Sequence, residues 1–105
     1  MDIAINDAGS TATVTLSGRL DISAAQSIDL PLATLSGSKE GILIDMAGVT
    51  FIASIGLRHL VTASKAVQRR GGRLILLNPT VAVAEVIETS GLTAYLPIER
   101  VAAPG

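Results

Sequence analysis

The feature that most constrains the fold is a short, uninterrupted apolar run, Ile42-Leu43-Ile44, which lies between two segments of helical periodicity. Buried strands of parallel sheets have this character because both of their faces are covered. The run predicts a strand over Gly41–Asp45, and residues 73–77 (Arg-Leu-Ile-Leu-Leu) predict another. Strands that alternate with helices imply parallel pairing through right-handed crossovers.

The beginning of the chain predicts a different pairing. Ile3 and Ile5 alternate with polar or small neighbours, and Asp7-Ala8-Gly9-Ser10 has the composition of a turn. From Thr11 to Leu16, apolar residues alternate strictly with threonine, which is typical of a half-buried hairpin strand. The sheet is therefore expected to open with an antiparallel hairpin and to continue with parallel strands.

A first helix is predicted after Asp21. Ser23 and Gln26 have the spacing of a capping box, which predicts that Ser23 caps this helix. Pro31 would remove a helical hydrogen bond at a cost of about 3 kcal/mol, so we expect a kink or two short helices there. One face of the segment carries apolar residues at helical spacing, namely Ala25, Ile28, Leu32 and Leu35.

A second and a third helix follow the two buried strands. Ser54 precedes the second helix, whose predicted buried face is Leu57, Leu60, Val61 and Val67. Arg69 and Arg70 lie in its last turn and Gly71-Gly72 ends it, as the helix dipole and C-cap geometry favour. Thr80 is placed to cap a third helix that runs to about Ser90, and a last short strand is expected near Leu96–Ile98. The fold class is α/β, with one domain over residues 1–105.

Composition narrows the range of functions. The 105 residues are 49% hydrophobic, include no cysteine and carry a net charge of −1, so neither a thiolate metal site nor binding of nucleic acid through counterion release is expected. No signal peptide is visible at Met1-Asp2-Ile3. The longest stretch without charge has 12 residues, fewer than the roughly 20 that a membrane span needs. We therefore expect a cytoplasmic protein without membrane insertion.

A catalytic site is not apparent. His59 is the sole histidine, so it has no second His or Cys with which to form a metal site. Ser54, His59 and Asp45 formally supply a triad, but side chains five residues apart on a helix point about 140° apart. His59 is therefore interpreted as a partly exposed surface residue. Asp45 is expected to bond local backbone amides. No enzyme activity, cofactor or metal is predicted.

The segment Val49–Leu57 is the most informative, because apolar residues surround one serine at a predicted helix start. The simple interpretation is that the Ser54 hydroxyl caps the helix, which stabilises it by about 1 kcal/mol. The functional interpretation is phosphorylation, because free N–H groups at a helix start favour an anion. A phosphate would add a charge of about −1.5 to −2 to a nearly uncharged patch.

At this segment the sequence resembles a known family. Asp45–Leu57 resembles the signature of STAS domains, in particular that of bacterial anti-sigma factor antagonists. Three further matches occur in the family's order and spacing, and together they extend over nearly the whole chain: Leu16–Asp21, Gly71–Leu74 and Glu88–Leu92.

This resemblance implies a mixed sheet of four or five strands with three to four helices mainly on one face. It also implies partner switching, in which the unphosphorylated antagonist binds an anti-sigma factor that is a serine kinase, and a phosphatase reverses the phosphorylation. Ser54 then aligns with the phosphoacceptor and Asp21 with an acidic residue where the kinase docks. The partner-binding residues expected from this alignment are Asp21, Ser23, Ala53, Ser54, Ile55, Gly56 and Arg58. The protein is expected to be a monomer or a weak dimer.

The sequence departs from the family in two places. Relatives usually have Asp-Ser-Ser-Gly or Asp-Ser-Thr-Gly at the acceptor, whereas here Ala53 and Ile55 flank Ser54. The acid that could orient the hydroxyl is lost, but the hydroxyl remains. The chain also ends at Val101–Gly105 where many relatives continue into a final helix, so that helix is expected to be absent or shortened.

Three functions remain open. The first is an antagonist that binds a serine-kinase anti-sigma factor and is controlled at Ser54. The second is a STAS subunit or scaffold that docks without phosphorylation in a larger assembly, such as a phospholipid transport ATPase or a sensory complex, which the altered flanks favour. The third is a small hydrolase that uses Ser54, for which the sequence offers no suitable base.

Overall fold

The computed structural model describes residues 1–101 and contains one five-stranded sheet with three helices. The strands are β1 (Asp2–Ala8), β2 (Thr11–Leu20), β3 (Gly41–Ile52), β4 (Arg73–Leu77) and β5 (Ile98–Glu99), and they lie in that order across the sheet. The helices are α1 (Ile22–Ser36), α2 (Ser54–Arg69) and α3 (Val81–Thr89).

The sheet is mixed, as the sequence predicted. β1 and β2 pair antiparallel through a turn at Gly9, whose φ of 78° lies in the left-handed region that glycine adopts without strain. β2, β3, β4 and β5 then pair in parallel, each joined to the next by a helix. The last strand is Ile98–Glu99 rather than Leu96–Ile98, because the Leu96 amide donates its hydrogen bond to the Leu92 carbonyl and not to β4.

The core lies between one face of the sheet and the helices. Two rows cross the parallel strands in register on this face, and every side chain in them is buried: Ala12, Ile42 and Leu74 in one row, and Val14, Ile44 and Leu76 in the other. Burying an aliphatic side chain of this size contributes about 1.5–3 kcal/mol. Residues of all three helices belong to the same cluster, including Ile28, Leu60 and Ile87.

β3 is longer than the sequence predicted. Its pairing with β2 shifts register twice, between Thr15 and Ser17 and between Gly18 and Arg19, and β3 has one residue more than β2 at each shift. Such bulges re-aim the following side chains. Asp45 therefore lies inside β3 and not at its end, which corrects the expected boundary. Its carboxylate accepts a hydrogen bond from the Ala47 amide at 3.1 Å, so the expected bonding to local backbone is confirmed.

The predicted start of α1 was wrong. Asp21, not Ser23, is the N-cap, and its carboxylate accepts a hydrogen bond from the Ala24 amide at 2.9 Å. The two-helix alternative at Pro31 was also wrong, because α1 continues through this residue without interruption. The carbonyl that Pro31 leaves without a donor belongs to Ser27, which is exposed and open to water.

The other helix ends follow the sequence more closely. Thr80 caps α3 as predicted, by accepting a hydrogen bond from the Val83 amide. Arg70 follows α2 and donates hydrogen bonds to the Ser36 and Lys39 carbonyls, which connects the ends of α1 and α2. Of the predicted buried face of α2, Val61 is half-buried and the other three residues are buried. The prediction that a final helix is absent or shortened concerns Val101–Gly105, of which residues 102–105 lie outside the described residues.

Within residues 1–101, none of the helices combines the length and the apolar character that a membrane crossing requires.

Gly72 provides a test of how closely the connection between α2 and β4 approaches the residue before β3. A Cβ atom at this position would lie 2.1 Å from the Glu40 carbonyl oxygen, which is held in place by the Arg73 amide. We predict that Gly72→Ala lowers the free energy of unfolding by roughly 1–3 kcal/mol, because overpacking forces the backbone to shift.

Gly37→Ala is the matched control, because a Cβ atom at Gly37 meets its nearest heavy atom at an ordinary 3.5 Å. Urea denaturation of both variants measures the difference. Equal unfolding midpoints for the two variants would contradict the close approach at Gly72.

Candidate protein-binding surface

The carboxyl ends of β2 and β3 bring the two loops singled out in the sequence together. Leu20 and Ile52 are paired at the end of the β2–β3 ladder, and the Ala53 amide donates a hydrogen bond to the Leu20 carbonyl at 2.9 Å. Asp21 therefore begins α1 beside the point where Ser54 begins α2. Residues separated by more than 30 positions in sequence thus share one edge of the sheet.

Ser54 is not the cap of α2, which corrects the simple interpretation of this residue. The N-cap is Ala53, which has no side chain that could accept a hydrogen bond from the first turn, and Ser54 is the first helical residue. The Ser54 side chain is exposed, and its hydroxyl forms no hydrogen bond with any residue in the described range 1–101. The hydroxyl is therefore available to a partner or a modifying enzyme.

Gly56 determines how closely the start of α2 approaches the sheet. A Cβ atom here would lie 2.8 Å from Cγ of Leu20 and 3.5 Å from a side-chain carbon of Ile52. Gly56 is buried, so it positions Ser54 and Ile55 without itself presenting a side chain to a partner. Glycine at this position thus permits close packing between α2 and the end of β2.

Two adjoining open hollows lie at this edge of the sheet, and Ser54 lines the larger one. The larger, of about 600 Å³, extends over residues 51–55 together with Ile22 and Arg58. The smaller, of about 360 Å³, shares Ile22, Phe51 and Ala53 with it and continues to Arg19, Asp21 and Ser23. We call the side chains that line them, other than Ile52, the Ser54 surface: Arg19, Asp21, Ile22, Ser23, Phe51, Ala53, Ser54, Ile55 and Arg58.

Three members of the Ser54 surface were not among the residues expected from the sequence. Ile22 is 67% exposed and Phe51 is 38% exposed, although both are large and apolar. The Arg19 guanidinium lies over the Phe51 ring, 4.4 Å from its centroid, which is a favourable cation–π distance. The available signals were the large apolar residues Ile22 and Phe51 close to the two predicted helix starts, but neither shows by itself which way a side chain points.

The structure places six of the seven expected residues on the Ser54 surface, and Gly56 beneath it. Ser23, Ser54 and Arg58 are exposed, whereas Asp21, Ala53 and Ile55 are half-buried. One oxygen of Asp21 is engaged in capping α1, a structural role that the sequence did not assign to it. That a partner binds these residues stays a prediction.

The formal triad of Ser54, His59 and Asp45 is not assembled. His59 is part of α2, and its Nδ1 lies 3.3 Å from a carboxylate oxygen of Asp29 on α1. Its side chain is 21% exposed, which agrees with the partly exposed residue expected. Across residues 1–101, no cluster of three or more His, Cys, Asp or Glu side chains is arranged to hold a metal ion.

Fold and site together define a class of small α/β domains: a mixed sheet that opens with a hairpin, and an apolar, partly charged surface where two parallel strands end. The STAS domain family model matches residues 2–103, and the chain belongs to this family.

Individual relatives agree with this assignment. The chain is 28% identical over 88 residues to the anti-sigma F factor antagonist of Lysinibacillus sphaericus, a match that covers 82% of this chain and 75% of the relative. Its structure is similar to that of the anti-sigma factor antagonist SpoIIAA in its unphosphorylated form, with a TM-score of 0.81, 25% identity and coverage of 93% of this chain and 88% of SpoIIAA. An anti-sigma factor antagonist from Mycobacterium paratuberculosis shares the fold, with a TM-score of 0.80, 22% identity and coverage of 92% and 83%.

The capping role of Asp21 can be separated from its charge. Asp21→Ala removes the acceptor for the Ala24 amide, so we predict that it lowers the free energy of unfolding by about 1 kcal/mol. Asp21→Asn keeps an N-cap acceptor and should leave stability nearly unchanged. Guanidinium denaturation of the two variants measures both effects. If Asp21→Asn destabilised the protein as much as Asp21→Ala, charge rather than capping would be the stabilising property.

Proposed function

We propose that this protein is an anti-sigma factor antagonist, which binds an anti-sigma factor through the Ser54 surface and so regulates transcription in the cytoplasm. The observation that carries the proposal is the exposed, unbonded Ser54 hydroxyl at the start of α2, at the centre of an open apolar surface. The similarity over most of the chain to the antagonist from Lysinibacillus sphaericus and to SpoIIAA supports it.

Binding through this surface agrees with its chemistry. Partner interfaces contain aromatic residues and arginine more often than other surfaces do. Phe51 and Ile22 provide exposed apolar area here, and the rim includes the Arg19 and Arg58 guanidinium groups. Since the surface is open and shallow rather than a closed pocket, it suits a protein segment better than a small substrate.

We further propose that the anti-sigma factor is a serine kinase and that Ser54 is its target, with a phosphatase for the reverse step. The first-turn amides of α2 have no side-chain acceptor from the cap, and no acidic residue lies in that turn. A phosphate on Ser54 would lie beside these positively polarised amides, which stabilises it. It would also bring a charge of about −2 into the contact surface, which opposes binding of a partner that fits the neutral form.

A second function is favoured by the flanks of Ser54. Ala53 offers no carboxylate to orient the hydroxyl, and Ile55 is half-buried beside it, which adds apolar contact area. These residues suit a domain that docks permanently in a larger assembly, such as a phospholipid transport ATPase or a sensory complex, without phosphorylation. In both functions the protein acts by binding, not by catalysis.

The switch is tested with Ser54 variants and the anti-sigma factors encoded in the same genome. We predict that Ser54→Glu weakens binding at least tenfold, which is about 1.4 kcal/mol, whereas Ser54→Ala binds like the wild type. Isothermal titration calorimetry measures both. Incubation with ATP and the partner, followed by mass spectrometry, should add one phosphate to the wild type and none to Ser54→Ala.

Gln68→Glu is the matched control, because it adds the same charge to α2 about 21 Å further along the helix. It should bind normally. Normal binding by Ser54→Glu without phosphorylation of the wild type would favour the docking function, and no binding to any anti-sigma factor would reject the antagonist function.

A further inference from the structure

The charges of the Ser54 surface are unbalanced. It includes two guanidinium groups, Arg19 and Arg58, and one carboxylate, Asp21. One oxygen of Asp21 is already engaged by the Ala24 amide. Within residues 1–101, Lys39 forms an ion pair with Asp7 and the His59 imidazole contacts the Asp29 carboxylate, so neither contact involves Arg19 or Arg58. The surface therefore presents two cations without carboxylate partners beside exposed apolar side chains.

The position of Arg19 suits recognition of a carboxylate. Its Cζ atom lies over the Phe51 ring, 4.4 Å from the centroid, so the ring restricts the guanidinium group on one side. A planar guanidinium held in this way loses less conformational entropy when it binds, and its paired N–H groups match the two oxygens of a carboxylate. The exposed part of Phe51 and the adjacent Ile22 supply apolar contact area next to it.

Arg58 provides the second cation, on the other side of Ser54. It lies four residues after Ser54 on α2, so the two side chains emerge from the same face of the helix, one turn apart. Both are exposed and both line the larger hollow. A ligand that occupies this hollow therefore meets the Ser54 hydroxyl and the Arg58 guanidinium together.

We infer that the Ser54 surface recognises a partner segment that combines an apolar side chain with carboxylates, and that Arg19 and Arg58 are its specificity-determining residues. This inference rests on the proposed function only in taking the Ser54 surface as the place where the partner binds. Complementary charge fixes the orientation of a partner and suppresses partners of the wrong sign.

The same arrangement specifies how a phosphate on Ser54 acts. An anion at Ser54 lies one helical turn before Arg58 and forms an ion pair with it, as anionic and cationic residues at this spacing do. The phosphate then pairs with Arg58, which is the cation that the carboxylate of the partner requires. It also repels that carboxylate. The effect of an acidic residue at Ser54 on binding should therefore depend on the presence of Arg58.

Peptide selection tests the inference without an identified partner. A phage-displayed library of random 12-residue peptides is selected on the immobilised full chain, and the peptides obtained are titrated by fluorescence polarisation. The expected peptides combine Asp or Glu with Leu, Ile or Phe. Arg19→Gln and Arg58→Gln should each weaken binding about tenfold, and the loss should shrink as salt is raised.

Arg69→Gln is the matched control, since it removes the same charge from the exposed far end of α2 and should bind normally. Ser54→Glu should weaken peptide binding about tenfold in the wild type and less than threefold in the Arg58→Gln variant, because the two changes remove the same contact. Circular dichroism of each variant checks that the fold is retained.

Three results would overturn the inference: selection of basic or uncharged peptides, equal loss of binding in Arg69→Gln and Arg58→Gln, or selection of no peptide at all. The outcome is independent of the test with anti-sigma factors. Acidic peptides that depend on Arg19 and Arg58, together with no binding to any anti-sigma factor, would support the inference and reject the antagonist function.

Discussion

The parallel pairing of β2 with β3 is the constraint on which the rest of the structure depends. It aligns the two buried rows of the core and ends at the pair Leu20 and Ile52, from which α1 and α2 begin. The hydrogen bond from the Ala53 amide to the Leu20 carbonyl extends this pairing into the loops. The Ser54 surface is therefore a direct continuation of the longest parallel ladder within residues 1–101, which gives its residues a rigid support.

The first-turn amides of the two helices that begin at this edge have different hydrogen-bond acceptors. At α1, the first turn is capped by the Asp21 carboxylate, which stabilises the helix start. At α2, the cap is Ala53, so the first turn lacks a side-chain acceptor and the Ser54 hydroxyl is free. The absence of a side-chain cap is a small local cost in stability. It leaves positively polarised amides and a free hydroxyl at the point where an anion would be added or a partner would dock.

The residue before Ser54 is Ala53, which carries no charge. Without a carboxylate at Ala53, the Ser54 surface is dominated by Ile22, Phe51 and two arginines. The acidic, apolar partner that we infer would suit this surface, and added negative charge at Ser54 would act against such a partner. Binding specificity and control by phosphorylation would then depend on the same cation, Arg58.

Local sequence determined the types and order of the elements, because apolar periodicity and cap or turn residues act over a few positions. The hairpin alternation from Thr11, the apolar runs of β3 and β4, and the Thr80 cap were all predictable for this reason. Only the tertiary structure decided that Arg19, Ile22 and Phe51 join the Ser54 surface. The two bulges extend β3 to Ile52 and the parallel register brings Arg19 over Phe51. These contacts join residues more than 30 positions apart, and no local pattern encodes such a distance.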